Sequence, residues 1–218
     1  MASCKSRWGE STCLGDKKAY IVLLVSRNKD NKNVTNFQAR RKVFLTTNTT
    51  EALGNTFLDF VRKGVPGEKC RMYLSNNERD MRTTKKELIK HLIDDDDFNL
   101  CAIDTKVAAI AATKQCAKEK KWFFDFDIDD ETLVQEFIQD IYTIDPIVDV
   151  TLTRTVNGYA VGTNRGFDTR KLFEKWGTEN ITLKRDDLLL EAVAENIEPV
   201  AITRCVHEHI APKMQVLW

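Results

Sequence analysis

Lys121-Trp122-Phe123-Phe124-Asp125-Phe126-Asp127-Ile128-Asp129-Asp130 begins as an aromatic strand and takes on a carboxylate at every second position before ending in consecutive acids. Side chains alternate between the two faces of a strand, so Asp125 and Asp127 share one face and Phe124, Phe126 and Ile128 the other. Two carboxylates on one face repel unless a positive charge stands between them. A divalent cation carrying phosphate supplies that charge, because hard cations take oxygen ligands. The structural alternative is a strand whose acidic end enters a helix, with Asp129 or Asp130 capping Glu131 to Phe137. Capping accounts for Asp129 and Asp130. It does not account for Asp125 and Asp127, which are embedded among aromatic residues.

Downstream, a helix is expected over about 130–141, with Pro146 as the next break. Val148 to Thr155 alternates as a strand, and Asn157-Gly158 signals a two-residue type I′ turn in which Gly158 supplies a positive φ. Tyr159 to Thr163 is the return strand. Asp168 is expected to cap a short helix carrying Leu172, Phe173 and Trp176 and ended by Gly177. Ile181 to Leu183 and Pro199 to Thr203 read as strands, with Leu188 to Val193 of undetermined type between them.

Upstream, Ala19 to Val25 is a near-continuous apolar run, expected as a strand buried on both faces. Arg41 to Thr46 pairs with it as a long-looped hairpin. Thr49 or Thr50 caps a helix through Leu53, Phe57 and Val61, and Cys70 to Ser75 is a third strand. Asn76 to Asp80 reads as a polar loop, and helices follow at about 83–93 and 104–117. Strands and helices interleave, and the hairpins exclude an all-parallel sheet. The expected class is α/β or α+β, a mixed sheet with helices mainly on one face. Residues 1–17 read as a flexible arm and 18–218 as a single domain, since no Pro- or Ser-rich linker interrupts the chain.

The 218 residues carry 33 basic and 33 acidic side chains, so no global basic field points to nucleic acid, although a local basic groove remains open. No apolar run approaches the roughly 20 residues of a membrane span, and the first residues show no apolar signal region. A cytoplasmic protein is the expectation. Six scattered cysteines then read as reduced thiols. Cys205-x-His207-x-His209 places three ligand types on one strand face, but without a second ligand pair a polar edge is the simpler reading of it. No Gly-rich phosphate loop is present.

The order of motifs, an aromatic-flanked Asp-x-Asp strand (Asp125, Asp127), a helix, then a hairpin with Asn157-Gly158-Tyr159, resembles the archaeo-eukaryotic primase superfamily. The nearer likeness is to the small primase-like proteins of large bacteriophages. The resemblance covers residues 120–192. It implies a primase/palm-like fold, Mg²⁺ or Mn²⁺ held by Asp125 and Asp127, and a third acid on a further strand. Asp187 is favoured for that role over Asp149 and Asp186. A nucleoside triphosphate and single-stranded nucleic acid are the implied partners, and host cytoplasm the location if the chain is phage-encoded. Where the family pattern places His after Gly-aromatic, this chain has Ala160, which puts the catalytic contact in doubt.

The implied chemistry is two-metal nucleotidyl transfer, with Lys184 and Arg185 neutralising phosphate charge and Tyr159 either stacking on the nucleotide or packing in the core. The alternatives are a non-catalytic nucleotide or nucleic-acid binding protein, for which Ala160 speaks, and a metal-dependent nuclease or phosphodiesterase, in which the same metals activate water.

Overall fold

The computed structural model describes residues 18–48, 50–155, 158–197, 200 and 202–210. The expected arm at 1–17, the Thr49 cap, Asn157 and the start of the strand expected at Pro199 lie outside these residues. In chain order the elements are β1 (Tyr20–Ser26), β2 (Arg40–Thr46), α1 (Thr50–Arg62), β3 (Lys69–Ser75), α2 (Met81–Asp94), α3 (Ile103–Ala111), β4 (Trp122–Phe126) and α4 (Glu131–Ile144). They continue with β5 (Val150–Arg154), β6 (Tyr159–Thr163), α5 (Arg170–Trp176), β7 (Ile181–Lys184), β8 (Leu188–Glu195), β9 (Ile202–Arg204) and β10 (Val206–Ile210). No helix among the described residues is long and apolar enough to cross a membrane.

Two features correct the expected architecture. Among the described residues every strand pairing is antiparallel, so neither sheet is mixed in direction. The described residues also form two compact units where a single domain was expected for 18–218, each with its own sheet. Among the described residues, one unit comprises 18–118 with 187–204; the other comprises 119–186 with 205–210. Neither is continuous in sequence, which is why no linker composition announced the division.

The unit containing the first strands has the sheet order β2-β1-β3-β8-β9. Leu53, Phe57 and Val61 recur at every fourth position of α1 and pack on Tyr20, Val22 and Leu24. Ala108 and Ala111 of α3 pack on Ile21. Helices therefore cover both faces of this sheet, not mainly one, and β1 is apolar from Tyr20 to Val25 because both its faces are covered. The segment expected as a polar loop, Asn76 to Asp80, is polar but buried from Asn76 to Arg79, each residue at most 7% exposed, and only Asp80 is half-buried. Its backbone is bonded accordingly: Arg79 N–H donates to Ala19 O at 2.8 Å and Asn76 N–H to Asp187 O at 2.9 Å.

The unit holding the acidic strand has the order β10-β5-β6-β4-β7. Without the added edge strand β10, this is a βαββαβ chain in which the first strand, β4, lies inside the sheet between β6 and β7, the split βαβ arrangement. Here the helices do lie on one face. Val134, Phe137, Ile138 and Ile141 of α4 and Leu172 of α5 pack on Phe124, Phe126, Leu152 and Val161. The Phe137 ring meets Phe126 at 4.8 Å and Phe124 at 5.1 Å, both edge to face. Each such pair adds about 0.5–1.5 kcal/mol beyond area burial. Trp176 Nε1 donates to Asp140 Oδ2 at 2.7 Å, tying α5 to α4, and Tyr142 Oη donates to Ile210 O at 2.6 Å, tying β10 to α4.

Glu68, 1% exposed, is the most deeply placed acid of the first unit. Burial pushes its carboxyl up, but hydrogen bonds from Arg40, Ser26 and the Val65 N–H outweigh that and hold it below the ordinary range. Arg40 Nε donates to Glu68 Oε1 at 2.9 Å. A carboxyl depressed in the folded state stabilises above its unfolded pKa of about 4.3 and loses that contribution as pH falls through the folded value. Glu68→Gln is therefore expected to cost about 2–3 kcal/mol at neutral pH. It should also flatten the fall of stability below about pH 4.5, as read by urea unfolding at a series of pH values.

Candidate functional site

Burial of Phe124 and Phe126 beneath α4 turns Phe123 and Asp125 to the opposite face of β4. Asp127 lies one residue beyond β4, yet its N–H donates to Asn180 O at 3.2 Å, which continues the β4–β7 register by one step. The strand thus stays extended, and Asp127 shares the face of Asp125, about 6.6 Å further along. Asp125 is half-buried and Asp127 exposed.

The acids that follow have other duties. Asp129 pairs with Arg154, whose hydrogen bond holds its carboxyl below the ordinary range. Asp130 caps α4, its Oδ1 accepting from Thr132 N–H at 2.9 Å and Leu133 N–H at 3.2 Å.

Register places the neighbours of Asp125. Ala160 of β6 stands opposite it on one side and Thr182 of β7 on the other. Thr153 of β5 lies opposite Ala160, and His207 of β10 opposite Thr153. One rung across five strands therefore reads His207, Thr153, Ala160, Asp125, Thr182. Thr153 Oγ1 and His207 Nδ1 share a hydrogen bond of 2.8 Å. On this face β6 offers only Gly158, Ala160 and Gly162, so the central strand presents nothing larger than a methyl group. His207 received only the reading of a polar edge from sequence. The alternation from Val206 to Ile210 marks a strand, but nothing in it says that the strand joins β5.

The candidate cations separate. Lys184 Nζ lies 3.3 Å from Asp125 Oδ2, because Lys184 pairs with Phe123 in the register and so shares the acidic face. Arg185 does not join it; its guanidinium stacks 5.1 Å from the Trp122 ring centroid. Tyr159 turns to the helix-covered side, 7% exposed in the core, with the Arg154 guanidinium 4.5 Å above its ring, so stacking on a nucleotide is not its position here.

Among the alternatives for a third acid, Asp149 is held at the other end of the β5–β6 pair, its Oδ2 accepting from Asn164 Nδ2 at 2.8 Å. Asp187 belongs to the first unit, where its Oδ1 accepts from Leu188 N–H at 2.7 Å. Among the described residues no three His, Cys, Asp or Glu side chains cluster as a metal cage. Two carboxylates on one strand face still fit Mg²⁺, which commonly takes one or two protein carboxylates and completes its octahedron with water and substrate phosphates.

The hairpin differs from expectation by one residue. Arg154 pairs with Tyr159, and Thr155 N–H donates to Gly158 O at 3.0 Å, so Gly158 closes the ladder and is not the second residue of a two-residue turn. Glycine is required there because a Cβ would lie 2.2 Å from the carbonyl oxygen of Phe126. No known protein family, curated protein or solved structure matches this chain.

Gly158→Ala is therefore expected to push β6 away from the end of the acidic strand and cost about 1–3 kcal/mol, measured by chemical unfolding. Ala160 is 1% exposed. Ala160→His must fit a ring into that space and is expected to lower stability by a similar amount, with a reduced thermal midpoint as the readout.

Proposed function

We propose that Asp125 and Asp127 bind a divalent cation together with the phosphates of a nucleoside triphosphate, in a unit of the primase-type nucleotidyltransferase kind. The observation that carries this reading is the acidic pair on the face of an interior strand opposite α4 and α5, with Lys184 3.3 Å from Asp125. A stable ion pair alone would need one carboxylate. The second, Asp127, is exposed and adds a carboxylate on the same face.

In this reading Asp125 and Asp127 hold Mg²⁺ or Mn²⁺. A cation held there would supply Lewis-acid chemistry: orientation of the triphosphate, a lower pKa for an attacking hydroxyl and charge stabilisation on pyrophosphate. Lys184 exchanges part of its pairing with Asp125 for a charge-assisted hydrogen bond to phosphate. Thr182, beside Asp125 in the register, adds a hydroxyl donor on the same face. Single-stranded nucleic acid is the corresponding second substrate.

Ala160 favours a second reading, in which the unit binds metal and nucleotide without turnover. The position opposite Asp125 carries a methyl group and offers no proton donor or acceptor.

Calorimetry with Mn²⁺ and a nucleoside triphosphate tests the site. Metal-dependent nucleotide binding is expected, weakened at least tenfold in Asp125→Asn/Asp127→Asn. Lys184→Ala should weaken the nucleotide several-fold and leave Mn²⁺ binding intact. Absence of binding in the unmodified protein would remove the reading altogether. Incorporation of nucleotide into primed or unprimed templates then separates the transferase from the silent binder.

A further inference from the structure

A pocket of ≈ 740 Å³ opens in the first unit between the β1–β2 connection and the turn before β3. Lys29, Lys32, Asn33 and Thr35 line one side and Gly67 and Lys69 the other. Its size falls within the range of small-ligand sites. All of these residues belong to one compact unit.

The walls are built firmly for a surface connection. Asn31, 2% exposed, donates from Nδ2 to Arg27 O and to Lys69 O, each at 3.0 Å, and to Ser26 Oγ at 3.2 Å. Its Oδ1 accepts from Lys69 N–H at 2.6 Å. One side chain thereby fixes the connection to the first residue of β3. Asp30 adds a second clamp, accepting from Arg27 Nε at 2.8 Å and Arg71 Nε at 2.9 Å.

The charge is one-sided. Asp30 lines the pocket but is engaged by two guanidinium groups, and Glu195 lies 3.9 Å from Lys69. Of the lining side chains, three ammonium groups face two carboxylates, an excess of one positive charge, and the Arg27 and Arg71 guanidiniums that hold Asp30 offset its charge from outside the lining. Lysines spread over a convex surface are ordinarily solvated. Three converging on a pocket with rigid walls concentrate potential and favour a multivalent anion. Asn33 and Thr35 add uncharged polar groups suited to phosphate oxygens.

We infer that this pocket is an anion site for a chain of phosphate groups, either the oligophosphate of a nucleotide or the backbone of a nucleic-acid strand. It needs no metal and is independent of the acidic strand. The two sources share one chemistry and differ in length.

The test is fluorescence anisotropy with a labelled oligothymidylate in EDTA, at several salt concentrations, with inorganic tripolyphosphate as competitor. Binding is expected, and Lys29→Glu/Lys32→Glu/Lys69→Glu should weaken it at least tenfold and reduce the salt slope by about 2. The three lysines are exposed, and an unchanged circular-dichroism melt shows that the variant is folded. Should the variant melt early, Lys29→Ala/Lys32→Ala, which leaves the β3 anchor intact, must still weaken binding several-fold. Competition by tripolyphosphate at concentrations matched per phosphate assigns the pocket to short oligophosphates, and resistance to it assigns the pocket to the longer strand. EDTA withholds the divalent cation that the acidic strand would require, so failure of the metal-site reading leaves this result untouched. The inference is overturned if neither anion binds, or if the lysine variants bind normally.

Discussion

Phe124 and Phe126 lie beneath Phe137, and that packing decides which way each side chain of the acidic strand points. The alternation of a strand has no free parameter once two of its residues are buried on a known face. Asp125 therefore cannot enter the core, and Asp127 follows it because the β4–β7 hydrogen bonding continues through Asn180. A slip of one residue would exchange aromatic for carboxylate beneath α4, at a desolvation cost of several kcal/mol for each buried charge. The apolar side of the strand thus enforces the polar side.

Four acids within six residues face different surroundings and divide accordingly. Asp130 meets the unsatisfied N–H groups of a helix start, Asp129 meets Arg154, and Asp125 meets Lys184. Asp127 stands at the strand end, exposed. The cations are sorted by the same alternation, which puts Lys184 on the acidic face and Arg185 on the Trp122 ring. Adjacent basic residues in sequence are not equivalent partners once a strand has separated them.

Local signals located most elements to within a few residues. The apolar period of α4, the Gly177 stop of α5, whose φ is +67°, and the apolar run of β1 each carry their structural reason in their own residues. Long-range pairing was the part that could not be read. Leu188 to Glu195 showed no clean period because β8 shifts register opposite Met72/Tyr73: Tyr73 pairs with Leu190 and Met72 with Ala192, leaving Glu191 as the extra residue. A bulge inverts the phase of the alternation and hides the strand. Gly158 was legible as an indispensable glycine, but through the wrong cause, since the constraint comes from Phe126 across the sheet rather than from turn geometry. The same holds for His207, whose partner Thr153 lies far away in sequence.

The chain passes from one unit to the other after Lys118, after Asp186 and after Arg204. Biosynthesis meets this interleaving directly. When β3 leaves the ribosome, the strand that will cover its outer edge has not been made, and the whole acidic-strand stretch must come first. At common elongation rates the delay is on the order of ten seconds, during which a row of backbone donors and acceptors stands open to any passing strand. Lys69 and Arg71 are charges carried by that waiting edge, and charge on an edge discourages unwanted pairing. Arg71 is also paired with Asp30, on the connection made before it. One residue thus both completes an ion-pair clamp and places a charge on that waiting edge.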